Sequence, residues 1–192
     1  MSRIALFGGT FDPVHSGHII SAVDLKKSLK LDRVIFVPAG RPPHKNEALV
    51  TAAKHRLKML KLAVKTLPGF EISGYELKKK GKSYTIDTVR YFKKKLKKKD
   101  KLYFIAGSDI TGQIESWKEW ENFIKEVELV IIARPGFNPG KKASKFGTLL
   151  KIKNIDISSS GIRKLIKKGR PVAGMVPKMV EKYIYEQKLY GS

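Results

Sequence analysis

Arg3-Ile4-Ala5-Leu6-Phe7-Gly8-Gly9-Thr10-Phe11-Asp12-Pro13-Val14-His15-Ser16-Gly17-His18 begins as a strand and ends as a helix start. The apolar run over 3–9 closes on two glycines, the pattern of a buried strand followed by a tight turn. Between Gly17 and Leu29, apolar residues at 19, 20, 23, 25 and 29 recur with roughly helical spacing. The same alternation repeats outward from this unit. Further strands are predicted over 34–37, 70–73, 102–106, 129–133 and 149–157. Helices are predicted over 51–67, 84–98, 116–125, 158–168 and 177–187. The helix over 51–67 places Leu57, Leu60, Ala63, Val64 and Leu67 on one face. Residues 38–48 read as a loop, and 136–147, rich in Gly, Pro and Lys, as a mobile one.

Short strands alternating with helices predict an α/β fold: a doubly wound parallel sheet with helices on both faces. There is no internal repeat and no linker long enough to divide the chain. A single domain over 1–192 is expected, with a small helical part from about 158. In such sheets ligands lie beyond the carboxyl ends of strands, where the strand order reverses. Segments 8–18, 38–45, 107–109 and 158–163 each follow a predicted strand.

Composition narrows the function classes. The chain has 192 residues and a hydrophobic fraction of 42%, enough for a core despite its charge. No apolar run approaches the ~18–20 residues of a membrane helix. Met1-Ser2-Arg3 leads straight into the first strand without a signal-peptide pattern, so a cytoplasmic protein is expected. Cysteine is absent, which excludes disulfides, thiolate zinc sites and a cysteine nucleophile. Lys+Arg number 40 against 17 Asp+Glu, a net charge of +23. Residues 78–101 hold 12 basic residues and two acids. Such a field attracts anions. Nucleic-acid binders add arginine and stacking aromatics, whereas here eight Arg stand against 32 Lys. A solvated lysine face is the plainer reading, and nucleic acid is not an expected partner.

Two segments carry chemistry. In the first, Gly8 and Gly9 let backbone approach a phosphate closely. His15 and His18 are spaced to project from one end of a helix, where backbone N–H groups and the dipole favour an anion. Two imidazoles there can donate to phosphoryl oxygens in a transition state. Gly17 between them permits approach of a flat group such as a purine. A zinc site would need further ligands at suitable spacing, and none follows. The second segment is Ile157-Ser158-Ser159-Ser160-Gly161-Ile162-Arg163. Serines that open a helix are ordinary caps. Arg163, one turn in, can aim a guanidinium at the same anion. Of the other histidines, His44 precedes Lys45 in a loop, and His55 reads as a surface helix residue.

Together these residues resemble the bacterial nicotinate-nucleotide adenylyltransferases, within the nucleotidyltransferase superfamily. Pro38–Lys45, Ser83-Tyr84-Thr85-Ile86-Asp87-Thr88, Gly107-Ser108-Asp109, Trp117 with Trp120, Ala133-Arg134-Pro135-Gly136 and the ending from Val176 to Tyr190 extend the likeness over nearly the whole chain. The resemblance implies a Rossmann-like fold and adenylyl transfer from ATP to nicotinate mononucleotide, giving nicotinate adenine dinucleotide and pyrophosphate. Mg²⁺ would travel with the ATP phosphates, and no protein-held metal is expected. The resemblance also implies roles. His15, His18 and Arg163 would be catalytic. Gly8, Gly9, Thr10, Phe11, Gly17, Gly107, Asp109, Ser158 and Ser159 would bind ATP. His44, Lys45, Thr85, Trp117 and Arg134 would bind the mononucleotide, with Trp117 stacked on the pyridine. Where this family commonly has Thr, Ser160 stands. Transfer to phosphopantetheine or nicotinamide mononucleotide, and a basic nucleic-acid-binding protein, are the alternatives. Monomer and homo-oligomer both stay open.

Overall fold

The computed structural model describes residues 1–41, 50–108, 112, 114–133, 146–150 and 155–192. The strands are β1 (Arg3–Gly9), β2 (Arg33–Pro38), β3 (Phe70–Ile72), β4 (Lys101–Gly107), β5 (Glu128–Ile132) and β6 (Thr148–Leu150). They form one sheet in the order β3-β2-β1-β4-β5-β6, and every pairing is parallel. The order reverses between β1 and β4, so a crevice opens beyond Gly9 and Gly107. Ladder bonds hold Gly9 level with Pro38 and Phe7 level with Ile105. The three chain segments leaving β1, β2 and β4 therefore emerge side by side.

The helices are α1 (Ser16–Ser28), α2 (Ala53–Val64), α3 (Tyr75–Lys78), α4 (Thr85–Lys93), α5 (Trp120–Glu126), α6 (Ser159–Lys167) and α7 (Lys178–Glu186). Strand alternation divides the core between the two sheet faces. Ala5, Phe7, Val34, Phe36, Tyr103 and Ile105 meet α1, α2, α6 and α7 on one face. Ile4, Leu6, Ile35, Val37, Leu102 and Phe104 meet α4 and α5 on the other. The C-terminal helices bury Ile162, Ile166, Val180 and Ile184 in the first of these clusters. Among the described residues no helix is long and apolar enough to cross a membrane.

Several boundaries differ from the sequence expectation. The helix expected over 84–98 stops at Lys93; continued, it would stack Lys93 on Lys97, Lys94 on Lys98 and Lys95 on Lys99, like charges four apart. The segment expected as one helix over 116–125 is broken: a 3-10 turn spans Ile114–Ser116, and Glu119 adopts a left-handed φ of 53° before α5 begins. The strand expected over 149–157 is limited to Thr148–Leu150 among the described residues. Most of the expected mobile loop, 136–145, lies outside them, whereas Phe146 packs edge-on against Trp120 at 5.1 Å. The buried stripe of α2 is Arg56, Met59, Leu60 and Val64, with Arg56 in place of the expected Leu57. The single turn α3 has no counterpart among the elements expected from the sequence.

Candidate active site

The turn after β1 is built around one aromatic ring. Phe11 has a left-handed φ of 51° and is buried. A Cβ on Gly9 would lie 2.8 Å from that ring, so only glycine fits beneath it. The ring meets His18 edge-on at 5.1 Å and Phe36 at 5.5 Å. Phe11 is thus a support for His18, with its side chain in the core.

His15 and His18 cap α1 reciprocally. The His18 N–H donates to Nδ1 of His15 at 3.3 Å, and the His15 N–H donates to Nδ1 of His18 at 3.2 Å. This is a capping box made from two imidazoles. Because each Nδ1 accepts, each neutral ring carries its proton on Nε2. The rings stack with centroids 3.6 Å apart. Both therefore present an N–H donor from one helix start. At Gly17 a Cβ would press on the His15 ring at 3.0 Å, so glycine there makes room for the histidine stack.

Helix α6 docks onto the same turn. Ser158 caps it by accepting from the Gly161 N–H at 3.1 Å. The Ser159 hydroxyl donates to the Pro13 carbonyl at 2.9 Å, and Nη1 of Arg163 donates to the Asp12 carbonyl at 2.7 Å. Two of the three residues expected to cradle phosphate thus also lock α6 to the β1 turn. On the α1 side, the Ser16 hydroxyl donates to Gly174 at 2.9 Å.

The opposite wall comes from α4 and the turn before α5. Tyr84 gives α4 no side-chain cap, which leaves the first-turn N–H groups of Thr85 and Ile86 without intrahelical partners. Ser83 is buried, and its hydroxyl has no hydrogen-bond partner among the described residues. Arg90 of α4 holds Glu119 at 2.6 and 3.2 Å, fixing the turn that carries Trp117. Both carboxylates that it meets, Glu119 first and Glu126 second, push the guanidinium further up. Trp117 packs edge-on against Phe104 at 6.1 Å. Left-handed Glu119 stands between the two tryptophans: Trp117 lines the crevice and Trp120 packs on Phe146, while both touch Phe123.

The result is one cleft of about 1000 Å³, at the upper end for small-molecule sites. Gly8, Gly9, Thr10, Phe11, His15 and His18 line it from β1 and α1; Gly107 from β4; Thr85 and Trp117 from the far wall; Ser158, Ser159 and Arg163 from α6. Gly17 lies behind the lining. The starts of α1, α4 and α6 all open on it, three positive dipole ends in one cavity. His44, Lys45, Asp109 and Arg134 lie outside the described residues. His55, expected on the surface, is part-buried and joins Tyr183 of α7 by a 2.9 Å hydrogen bond.

Comparison with known proteins assigns this architecture. Residues 6–165 match the cytidylyltransferase-like family model. A Clostridium tetani protein named "Probable nicotinate-nucleotide adenylyltransferase" is 40% identical over 99% of this chain and all of its own length. A Thermus thermophilus protein of the same name is 44% identical over 98% and 99% of the two chains. The chain belongs to the nicotinate-nucleotide adenylyltransferase family. A solved Plasmodium falciparum nicotinic acid mononucleotide adenylyltransferase complexed with NaAD has the same fold, with a TM-score of 0.79, 23% identity and coverage of 99% and 98%.

Four polar residues of this adenylyltransferase lay beyond the sequence reading. Arg56 and Asp12, both buried, and the half-buried Tyr190 form a group beneath the β1 turn. The signal for Arg56 was available: it is an arginine on the apolar stripe of α2, in a chain that otherwise favours lysine. The fourth is Glu76 of α3, which lines the cleft. Its carboxylate accepts from the Thr88 hydroxyl at 2.7 Å and from the Gly40 N–H at 3.4 Å. Burial nonetheless raises its pKa, ahead of the opposing hydrogen bonds. A carboxylate raised on folding opposes the folded state once it ionises. Stability is therefore lost as pH rises from the unfolded value through the folded one, and stays lower above it. Glu76→Gln should remove that loss. Chemical denaturation of both proteins between pH 4 and 8 checks this; an equal pH slope in the two would contradict it.

Proposed function

We propose that this chain transfers the adenylyl group of ATP to nicotinate mononucleotide within the large cleft, forming nicotinate adenine dinucleotide and pyrophosphate for NAD biosynthesis. The observation that carries this reading is the convergence of two Nε2–H imidazoles, Arg163 and three helix starts on one cavity sized for two nucleotides. The family relationship supports the reaction, and the NaAD complex of the Plasmodium falciparum relative supports the fold's suitability for such a product.

The mononucleotide phosphate oxygen attacks the α-phosphorus of ATP in line. As that P–O bond forms, the bond to the β-phosphate oxygen breaks and its electron pair leaves with pyrophosphate. No enzyme nucleophile is required, so the protein contributes position and charge stabilisation. His15 and His18 donate to the phosphate oxygens around the reacting centre. The start of α6, with Ser158, Ser159 and Arg163, receives the β- and γ-phosphates as negative charge builds on them. Gly8, Gly9 and Thr10 form the floor, and Gly107 adjoins the ribose.

Magnesium enters as part of the ATP substrate, shared among phosphate oxygens and water. Among the described residues no three His, Asp or Glu side chains gather as metal ligands. The carboxylate oxygens of Asp12 already accept from Tyr190 and Thr51. That donor set suits a substrate-borne ion.

At the pyridine end, Trp117 offers a stacking face, and the N–H groups of Thr85 and Ile86 offer donors. A carboxylate accepts from both; a carboxamide turns an N–H₂ donor toward one of them. Pyrophosphate release from MgATP, measured with nicotinate mononucleotide, nicotinamide mononucleotide and phosphopantetheine in parallel, tests the reading. The acid should turn over fastest. Equal rates for acid and amide would refute the selectivity, and preference for phosphopantetheine would refute the acceptor.

A further inference from the structure

The geometry points to Arg56 as a positioning residue for the reaction proposed above: from beneath the cleft it fixes the peptide planes of the β1 and β2 loops, and Asp12, anchored by Tyr190, is joined to it through Thr51. Arg56 is 2% exposed. Its Nη1 donates to the carbonyls of Thr10 and Ala39, both at 2.9 Å. Its Nε donates to the Thr51 carbonyl at 2.9 Å. One guanidinium fork thus ties together the segments leaving β1 and β2 and the entry to α2. A lysine could not span these carbonyls with the same rigid geometry.

The consequence for the site follows from peptide planarity. In a trans peptide the C=O and the next N–H point in opposite directions. Drawing the Thr10 carbonyl down to Arg56 directs the Phe11 N–H away from it, on the turn that carries the phosphate floor. Drawing the Ala39 carbonyl down directs the Gly40 N–H away, where it meets Glu76 at 3.4 Å. Arg56 therefore sets the direction of amides on both sides of the β1–β2 mouth.

Asp12 is the counter-charge and the junction. It is 4% exposed. One carboxylate oxygen accepts from the Tyr190 hydroxyl at 2.8 Å, and the other accepts from the Thr51 N–H at 3.1 Å. Its carbonyl accepts from Arg163. The group is thereby continuous with a residue proposed to hold phosphate. Tyr190 sits at a left-handed φ of 65° in the C-terminal 3-10 turn Leu189–Gly191, a conformation that disfavours a residue with a side chain. Such a backbone persists where its surroundings over-determine it, and here the phenol is anchored on Asp12. If Arg56 only filled space, methionine would serve, as Met59 does one turn on. Methionine would leave the carbonyls of Thr10, Ala39 and Thr51 without their donor.

The test compares Arg56→Met, Arg56→Lys and Tyr190→Phe with the wild type, by steady-state kinetics and by backbone amide NMR. Misplacement by an ångström costs on the order of 10²-fold in rate. Accordingly, folded Arg56→Met should lose about 10²-fold in kcat while KM for MgATP changes little, and Arg56→Lys should recover part of that loss. The Phe11 and Gly40 amide resonances should shift in both, and in Tyr190→Phe the Phe11 resonance should shift. If Arg56→Met does not fold, Arg56→Lys and Tyr190→Phe carry the same readouts. Wild-type kcat and unmoved resonances in the folded variants would overturn the inference. The resonances report on Arg56 even if the wild type made no dinucleotide, an outcome that would instead remove the proposed reaction.

Discussion

Replacing His18 with alanine should lower kcat by about 10²–10³-fold, the usual loss for one preorganised donor at developing charge. Two restraints place the imidazole for the proposed role. Its Nδ1 accepts from the His15 N–H, which leaves the proton on Nε2, and its ring stands against the edge of Phe11. Alanine also removes the hydrogen bond that His18 accepts from the His15 N–H, a loss of about 1 kcal/mol in stability. The fold, held by two apolar clusters on either face of the sheet, tolerates that. His18→Glu separates the two effects, because glutamate at the third helical position can still cap but carries no N–H donor. It should restore stability and leave kcat low. Turnover near the wild-type rate in either variant, measured by pyrophosphate release, would remove His18 from the chemistry.

Arg163→Ala should reduce kcat/KM for MgATP by roughly 10–100-fold, since hydrogen bonds to charged groups contribute about 1.5–3 kcal/mol each. Docking and the proposed phosphate contact are two duties that the variants distinguish. Nη1 holds the Asp12 carbonyl, and the other N–H groups of the fork are available to phosphate at the mouth of α6. Lysine keeps the charge without the fork. Arg163→Lys should therefore restore only part of the kcat/KM, and more of it at low ionic strength. An Arg163→Ala enzyme with unchanged kinetics and lowered thermal stability would assign Arg163 to docking alone.

The strand-and-turn start over 3–18 was legible because its chemistry is local: a continuous apolar run, two glycines and a histidine pair at helical spacing. The parallel sheet followed from alternation, and α6 from its serine cap. What escaped depends on contacts far apart in sequence. Asp12 meets Tyr190 across 178 positions of the chain, and nothing near either residue encodes that distance. The left-handed Glu119 that breaks the helix expected over 116–125 is held by Arg90 on another helix, a contact that local periodicity does not encode. Arg56 was passed over because periodicity counts apolar residues, whereas this stripe includes a cation satisfied by carbonyls from other segments. At Gly17 the structure adds a steric reason for glycine that the sequence did not carry, the closeness of the His15 ring.

Direct attack of one nucleotide on the other, with no covalent bond to the protein, is the central claim. Its most direct test is the stereochemical course at the α-phosphorus, using the Sp isomer of adenosine 5′-O-(1-thiotriphosphate) with nicotinate mononucleotide. A single in-line displacement inverts the configuration in the dinucleotide product. Retention would mean two displacements through an adenylylated side chain, with a histidine of the stacked pair as its evident bearer, and would contradict the role of His15 and His18 as hydrogen-bond donors to phosphate.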